Sequence, residues 1–398
     1  MVVASAVAGE VRLTLESAPA YALNHNPAFA AARLRIEEAR GRLRQSGLLS
    51  NPEIDATFSR HPDSSEQKLG VALMQRFPVT ARLRLEKAVS RAELAAAHAE
   101  VRNAERKLVA EVRSGAVKLL AIDGHRELRR KQLGNSHELA GFTRRRVESG
   151  EASFVDASQV ELEGHQLRTD LLQLDVERAA VAGELRGLLG LAADDTFIIA
   201  GDLPRLISVP GSDANPALRP DFEVAENVAE AARQAAELAR AQRWQDIGLG
   251  FHVEAERIED APDGIQRDNF VGLKLAVPLP LWNRNEGRIQ ETNAAALRAE
   301  KETDALARSI HAEVSAAREA MRALAKVVAE LEDQMLPAAT QIENQLHQAY
   351  STGQTTLQET LRARDRRLLL ERQRLEALRD FHLARIRYEA AIGKGFSK

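Results

Sequence analysis

An internal duplication constrains this sequence more than any other feature does. Two stretches, 12–200 and 216–393, share one order of features: a helix, two short alternating segments that end near a proline, and two long helical stretches split by a glycine turn. The matching positions are Asn26-Pro27 with Arg219-Pro220, Phe77-Pro78 with Leu279-Pro280, and Gly150 with Gly353. Because a repeat of this kind sets the architecture, we expect one domain built of two similar halves and joined by a linker at 201–215.

The composition is that of long helices with a solvated surface. Aromatic residues make up only 4%, and Ala, Leu, Arg and Glu dominate, as they do in coiled coils. The net charge is −3 with both signs interspersed, which argues against a nucleic-acid partner. The sequence contains no cysteine, so disulfides, thiolate metal sites and a lipid-modified cysteine are excluded within it.

The two ends lie outside the repeats. Residues 1–11 resemble the end of a signal peptide, because Ala6 and Ala8 are small, but they lack a basic region and a long apolar run. We expect either a signal-peptide remnant or a flexible N-terminus there, and a short tail at 394–398. No stretch reaches the ~20 apolar residues of a membrane helix, so a membrane span would have to consist of strands.

Four segments alternate between apolar and polar residues, as strands with one apolar face do. We expect these strands at about 51–60, 67–77, 246–256 and 269–279. Their lengths fit tilted strands that cross a bilayer in a barrel. The expected lipid-facing side chains include Ile54, Phe58, Leu69, Val71, Leu249, Phe251, Leu273 and Leu275. Trp244 and Trp282 flank the second pair of strands, which fits an aromatic girdle.

A soluble protein with two hairpins packed on helices is the plainer alternative. Two hairpins at equivalent repeat positions favour the membrane interpretation, and the polar, turn-rich links at 61–65 and 259–264 predict surface loops. Four strands cannot close a barrel, and an open sheet edge in lipid leaves backbone groups unpaired. Three copies would supply twelve strands, so we expect a homotrimer, with two or four copies less favourable.

The longest helices are expected at 80–149 and 154–190 in the first repeat and at 286–350 and 357–392 in the second. Pro337 should kink the third of these. A helix of this length reaches ~100 Å at its longest, so it cannot be buried in a globule and must pack beside others. Such helices form either a stalk or scaffold, or a tube that continues the barrel away from the membrane.

Each pair of long helices is joined by a tip that turns at a glycine. Capping-box patterns follow the glycines: Ser153 with Asp156 after Gly150, and either Thr355 with Gln358 or Thr356 with Glu359 after Gly353. The acids either only stabilise the helix starts or also line the narrow end of a tube as rings that favour cations. The two roles are compatible.

Four motifs occur in order along the chain. They are Leu13-Thr14-Leu15-Glu16 with Asn26-Pro27, then 45–53, 146–153 and 278–287. Together they resemble the outer-membrane factor family, the TolC-like outer membrane efflux proteins that serve tripartite efflux pumps and type I secretion systems. The last motif is most similar to the heavy-metal branch, the outer-membrane components of cobalt–zinc–cadmium resistance pumps. The resemblance runs from about Leu13 to Gly393.

This resemblance implies a mixed α/β membrane protein: a trimeric outer-membrane β-barrel of twelve strands, four per protomer, continued by a long periplasmic α-helical barrel. It implies two partners, a periplasmic adaptor (a membrane fusion protein) and an inner-membrane resistance–nodulation–division transporter. The adaptor is expected to dock at the tips, on Gly150, Glu151, Ala152, Ser153, Gly353, Gln354, Thr355 and Thr356. The family's gating acid falls on Glu359, which forms the expected periplasmic gate with Asp156 and Arg362. Some family members carry a second acid where this chain has Arg362, which could instead pair with Glu359.

The expected function follows from the resemblance and from the motifs that the sequence lacks. No nucleophile elbow, phosphate loop or zincin motif occurs, and the ten histidines include no HxxxH pair. We expect no enzyme activity, no cofactor and no high-affinity metal site, but a passive duct that conducts heavy-metal cations of the Co, Zn and Cd type out of the cell. The alternatives are a duct for organic drugs, solvents or type I secretion and, in a different class, a soluble coiled-coil scaffold.

Overall fold

The computed structural model describes residues 11–63, 65–206, 208–209, 211, 214–260 and 264–393. The expected signal remnant up to residue 10, the tail at 394–398, Ser64, parts of the linker and residues 261–263 lie outside the described residues. The elements of the first repeat are β1 (Val11–Thr14), α1 (Ser17–His25), α2 (Pro27–Gln45), β2 (Glu53–Arg60), β3 (Gln67–Phe77), α3 (Arg82–Glu148), α4 (Phe154–Leu189) and β4 (Phe197–Ala200).

The second repeat follows the same order after a short 3₁₀ turn at Pro216–Leu218. Its elements are α5 (Pro220–Ala241), β5 (Ile247–Asp260), β6 (Gly264–Ala276), α6 (Glu286–Glu330), a π-helical turn (Leu331–Met335), α7 (Leu336–Ser351) and α8 (Leu357–Ala391). Within the described residues, no helix combines the length and the apolar character that crossing a membrane would require.

The chain divides into two compact units, and each unit draws on both repeats. A helical unit comprises 1–33, 101–220 and 307–398, and a sheet unit comprises 34–100 and 221–306. Equivalent segments of the two repeats thus come together, because their strands pair with one another and their helices pack with one another. The repeat bounds themselves stay a prediction.

The sheet unit contains one antiparallel sheet of four strands in the order β2-β3-β5-β6. β3 of the first repeat pairs with β5 of the second along its whole length, from Gln67 opposite Arg257 to Phe77 opposite Ile247. β-Branched and aromatic residues at alternate positions favour this extended pairing. The two predicted hairpins therefore form a single sheet, in which β2 and β6 are the edge strands.

The helical unit is held together by apolar seams between its long helices. One buried cluster includes Val314, Met321, Phe381 and Tyr388, and a second includes Val328, Leu331, Leu370 and Ala377. Within each helix these residues recur at three- or seven-residue spacing, which places them on one face. A short parallel pairing of β1 with β4 completes this unit.

Matching close contacts reveal the duplication in the structure. Gly190, just after α4, lies so close to the carbonyl oxygen of His25 that no Cβ atom would fit there. Gly393, just after α8, leaves as little room against the carbonyl oxygen of Leu218. In each repeat the last long helix therefore ends against the same point, the residue that precedes the Asn26-Pro27 or Arg219-Pro220 pair.

Four features of the elements differ from expectation. β5 extends to Asp260 and β6 begins at Gly264, so part of the link expected at 259–264 is strand, although its residues are as polar as those of a loop. β6 ends at Ala276 rather than 279, since Pro278 and Pro280 have no N–H to donate to a ladder. The helix expected at 286–350 is interrupted by a π-helical turn that ends two residues before Pro337, whose missing N–H disrupts the regular pattern.

Candidate functional site

Most of the large apolar residues of the four strands lie on one face of the sheet, and Met74, Ile258 and Phe270 lie on the other. Cross-strand partners share a face, and the register pairs Phe58 with Leu69, Leu73 with Phe251, and Phe251 with Leu273. Residues two apart in a strand also share a face. All the side chains expected to face lipid therefore fall on this face: Ile54, Phe58, Leu69, Val71, Leu249, Phe251, Leu273 and Leu275.

No described part of the single chain covers this apolar face. Leu273 is 87% exposed and Ile54 is 75% exposed, so neither side chain is packed on the helices of the same chain, as the soluble-hairpin alternative would require. An uncovered apolar surface of this extent marks contact with a membrane or with another protein.

The opposite face carries most of the charged side chains of the sheet, and two of its cations pair across strands. Lys68 contacts Glu254, and Arg76 lies 3.3 Å from Glu53. An apolar outer face and a polar inner face are the division that a strand of a water-filled barrel requires. The assignment of individual residues to lipid stays a prediction.

Trp244 and Trp282 lie at one end of the sheet, where β5 begins and β6 ends. Trp282 is 94% exposed and Trp244 is about half exposed, so both indoles are available to a membrane interface. Their role in an aromatic girdle stays a prediction.

The two helical tips have the same backbone geometry. In each tip the glycine amide donates to the carbonyl three residues back, and the next amide donates to the carbonyl five residues back. The bonds are Gly150–Val147 (3.0 Å) and Glu151–Arg146 (2.8 Å) in the first tip, and Gly353–Tyr350 (3.1 Å) and Gln354–Ala349 (2.8 Å) in the second. This Schellman ending needs a left-handed residue, and φ is 79° at Gly150 and 77° at Gly353.

The first acid after the first tip caps the helix that begins there. The hydroxyl of Ser153 accepts a hydrogen bond from the amide of Val155 at 3.2 Å, and the carboxylate of Asp156 accepts one from the amide of Ser153 at 3.3 Å. The expected capping box is therefore present. A part for Asp156 in a gate stays a prediction beside this structural role.

In the second tip the cap is Thr356, whose hydroxyl accepts from the amide of Glu359 at 3.3 Å. The alternative pairing of Thr355 with Gln358 is wrong, because the hydroxyl of Thr355 donates to the carboxylate of Glu359 instead. This hydrogen bond, assisted by the backbone of Thr356 and by the charge of Arg362, lowers the pKa of Glu359. Glu359 is therefore an exposed carboxylate that stays ionised at neutral pH. A gate role for Glu359 and Arg362 stays a prediction.

A small apolar cluster joins the two tips. Tyr350, Leu357 and Val160 are buried together, and the guanidinium of Arg146 lies 5.3 Å from the ring of Tyr350 and 5.9 Å from that of Phe142. These residues come from α3, α4, α7 and α8, so spacing along the sequence could not reveal the cluster. It holds the tips in place through packing and a cation–π contact.

The tips differ in the first residue of the helix that follows. Phe154 is 76% exposed, whereas its counterpart Leu357 is 3% exposed. Phe154 therefore adds an apolar contact point to the first tip that the glycine and capping motifs did not reveal.

A buried ion pair lies farther along the same helices. Arg364 of α8, 9% exposed in its side chain, lies 3.5 Å from Glu163 of α4 and donates to the carbonyl of Gln132 in α3 at 2.9 Å. Burial raises the pKa of Glu163, although the charge of Arg364 opposes the rise. One guanidinium thus links three helices, and no short-range sequence pattern indicates it.

Two of the histidines have perturbed surroundings. The Nε2 atom of His382 lies 2.7 Å from the carbonyl of Pro204, and burial lowers the pKa of His382 and of His125. Across the part of the chain that the structure describes, no group of three or more His, Asp or Glu side chains could hold a metal ion.

Comparison with known proteins covers nearly the whole chain. Residues 18–191 and 215–394 match the model of the family described as outer membrane efflux protein. The cobalt-zinc-cadmium resistance protein CzcC of Cupriavidus metallidurans is 23% identical over 403 residues, which cover 96% of this chain and 87% of CzcC. The matched ranges fall on both repeats, as the motif resemblance predicts.

Solved structures with this fold include two outer-membrane proteins. VceC of Vibrio cholerae has a TM-score of 0.78 at 21% identity, over 96% of this chain and 97% of VceC. The CmeC outer membrane channel of Campylobacter jejuni has a TM-score of 0.79 at 14% identity, over 96% of this chain and 86% of CmeC. The predicted fold class is confirmed by these likenesses.

We expect Leu273→Arg to reduce the yield of folded protein in the outer membrane. A guanidinium on a lipid-facing strand near the midplane costs ~2–4 kcal/mol, and Leu273 is the most exposed of the predicted lipid-facing residues. The yield is measured from outer-membrane fractions as heat-modifiable protein on gels. Thr57→Arg, on the opposite face, is the control and should keep a normal yield. Equal yields of the two variants would contradict the orientation of the sheet.

Proposed function

We propose an exit duct for this chain, which belongs to the outer membrane efflux protein family and resides in the outer membrane. The proposed duct is passive: a partner transporter supplies the energy for export, and the cargo leaves the cell through the duct. The observation that carries the proposal is the sheet, which combines an uncovered apolar face, a polar face and two edge strands. These are the features of an incomplete barrel wall.

The proposed duct is a homotrimer. The edge strands β2 and β6 carry backbone N–H and C=O groups that lipid cannot satisfy. Pairing β6 of one copy with β2 of the next satisfies them, and three copies give a twelve-stranded barrel of plausible width. The long helices of the helical unit would line a periplasmic tube in the same assembly.

The proposed partners are a periplasmic adaptor and an inner-membrane resistance–nodulation–division transporter. Support for adaptor docking comes from the tips, where the backbone is tightly turned and Phe154 is exposed beside Gly150, Glu151, Ala152 and Ser153. A rigid turn that presents an apolar side chain suits docking, because little conformational freedom is lost on binding.

The proposed cargo is heavy-metal cations. Support comes from the likeness to the cobalt-zinc-cadmium resistance protein CzcC and from the ionised carboxylate of Glu359 at the second tip, since carboxylate rings favour cations. A duct for organic drugs, solvents or type I secretion substrates is the alternative in the same class, and a soluble scaffold is the alternative in another.

Deletion of the gene is expected to sensitise the host to Co, Zn and Cd salts more than to organic drugs. A tight binding site is unnecessary because the duct only passes hydrated cations. Minimal inhibitory concentrations of metals, detergents and antibiotics would be compared in the deletion strain and in the complemented strain. If the deletion strain became sensitive to organic compounds alone, the cargo would be organic drugs or solvents and not metal cations. A rod-shaped protein that is soluble without detergent would support the scaffold.

Valine in place of Gly150 and Gly353 is expected to weaken adaptor binding without preventing assembly. A β-branched residue at positive φ costs roughly 1–3 kcal/mol, and no described atom lies within 4 Å of a Cβ at either position, so backbone strain is the whole effect. Binding of purified adaptor and metal resistance would be measured. Gly183→Val is the control, because Gly183 is an uncrowded glycine within α4. Unchanged adaptor binding would contradict docking at the tips.

Changing the charge at the second tip should alter ion preference in opposite directions. Glu359→Gln removes a negative charge while keeping an acceptor for Thr355, so the preference for cations should fall roughly twofold or more. Arg362→Gln removes a positive charge and should raise that preference. Reversal potentials in planar bilayers under a KCl gradient measure both effects. A shift in the same direction for both variants would exclude the tip as the selective constriction.

A further inference from the structure

Three arginines lie in one row across the sheet, on its apolar face. The register pairs Arg60 of β2 with Gln67 of β3, Gln67 with Arg257 of β5, and Arg257 with Arg267 of β6. Arg60 lies two residues beyond Phe58, so the row shares the face of the apolar residues. Arg60, Arg257 and Arg267 together form what we call the arginine row.

The arginine row is unpaired in the described part of the chain. None of its guanidiniums makes an ion pair or a side-chain hydrogen bond with a described residue, and the Nε atom of Arg257 is buried without an acceptor. The carboxylate of Glu259, on the same face of β5, already accepts from the amide of Ser65 at 2.9 Å. On the polar face Lys68 and Arg76 are both paired, whereas Lys274 makes no ion pair with a described residue.

The arginine row lies at the far edge of the apolar band. From Ile247 to Arg257, β5 rises ~33 Å at about 3.3 Å per residue. A strand tilt of about 40° reduces this to ~25 Å, the height of the apolar band of an outer-membrane barrel. Trp244 and Trp282 lie at the opposite end of the sheet, near the starts of α3 and α6. If the helices extend into the periplasm, as the proposed function requires, the row lies at the level of the outer headgroups.

We propose that the arginine row binds the phosphate groups of the glycolipid that forms the outer leaflet. Guanidinium groups bind phosphate oxygens in a bidentate manner, and a phosphorylated glucosamine lipid carries its phosphates at this depth. Its acyl chains would lie along the apolar residues directly below, such as Phe58 and Leu69. Unpaired cations next to an apolar band match this ligand in both charge and hydrophobicity. The proposal rests on the proposed membrane orientation.

The position of the arginine row would also place a bound lipid where neighbouring copies of the proposed trimer meet. Arg60 lies on β2 and Arg267 on β6, the two edge strands. In the proposed trimer these are the strands that meet between neighbouring copies. A glycolipid held by the row would therefore lie against the joints of the barrel.

The test compares a triple variant, R60Q/R257Q/R267Q, with a control of equal charge loss, R288Q/R298Q/R322Q. The control arginines lie on α6 and form exposed pairs with Glu291, Glu302 and Glu319, which contribute little. The full-length protein in detergent is titrated with bisphosphorylated lipid A, with dephosphorylated lipid A and with phosphatidylglycerol, and bound lipid is counted by native mass spectrometry.

We expect wild type and control to bind bisphosphorylated lipid A and the triple variant to bind it at least about tenfold more weakly, as the loss of several charge-assisted contacts implies. Dephosphorylated lipid A should bind wild type as weakly as phosphorylated lipid A binds the triple variant. Equal binding by wild type and triple variant would overturn the proposal, and so would phosphatidylglycerol that binds as tightly as lipid A.

Flotation with phosphatidylethanolamine vesicles separates this proposal from the proposed function. Wild type, control and triple variant should all float, because insertion depends on the apolar face and these vesicles carry no phosphorylated glycolipid. If wild type and control fail to float, the proposed membrane insertion, and with it the proposed function, is wrong. If all three float but bind lipid A equally, only the role of the arginine row is wrong.

Discussion

The pairing of backbone groups at the edges of one four-stranded sheet is the constraint on which the rest of the molecule depends. β3 and β5 come from different repeats, and their pairing joins the two hairpins into one sheet. That pairing leaves β2 and β6 as edges and places every predicted lipid-facing residue on one side. Lipid offers no hydrogen bonds to an edge. The same sheet that gives the chain its apolar face therefore leaves it incomplete without further copies.

In the helical unit, long helices pack against one another with few aromatic residues at their contacts. Its seams consist of aliphatic side chains with isolated large residues such as Phe381 and Tyr388. Ion pairs such as Arg364 with Glu163 add directional contacts between helices. Removing one partner of such a pair would leave a buried charge, which is costly, so an alignment of the helices that separated Arg364 from Glu163 would be disfavoured.

The sequence predicted the faces of the strands and the positions of the tips, because both depend on local patterns. Alternation fixes which residues share a face, and a glycine followed by a capping residue fixes a helix turn. It misplaced the ends of β6, because Val277 and Leu279 continue the alternation, although the neighbouring prolines cannot join a ladder. The contact of Arg146 with Tyr350 and the row that joins Arg60, Arg257 and Arg267 need tertiary packing or strand register. Neither can be read from spacing.

At each tip the same acid both helps to cap a helix and carries a negative charge. The negative charge of the proposed gate therefore cannot be changed without also affecting the cap. Asp156 accepts from the amide of Ser153, and Glu359 accepts from Thr355. Each carboxylate is therefore held in place by the turn that it stabilises, and hydrogen bonding keeps Glu359 ionised. Protonating or removing either acid would change the charge of the proposed opening and also loosen the start of a helix. In the proposed duct, ion preference and the shape of the tip would thus be coupled through the same few hydrogen bonds.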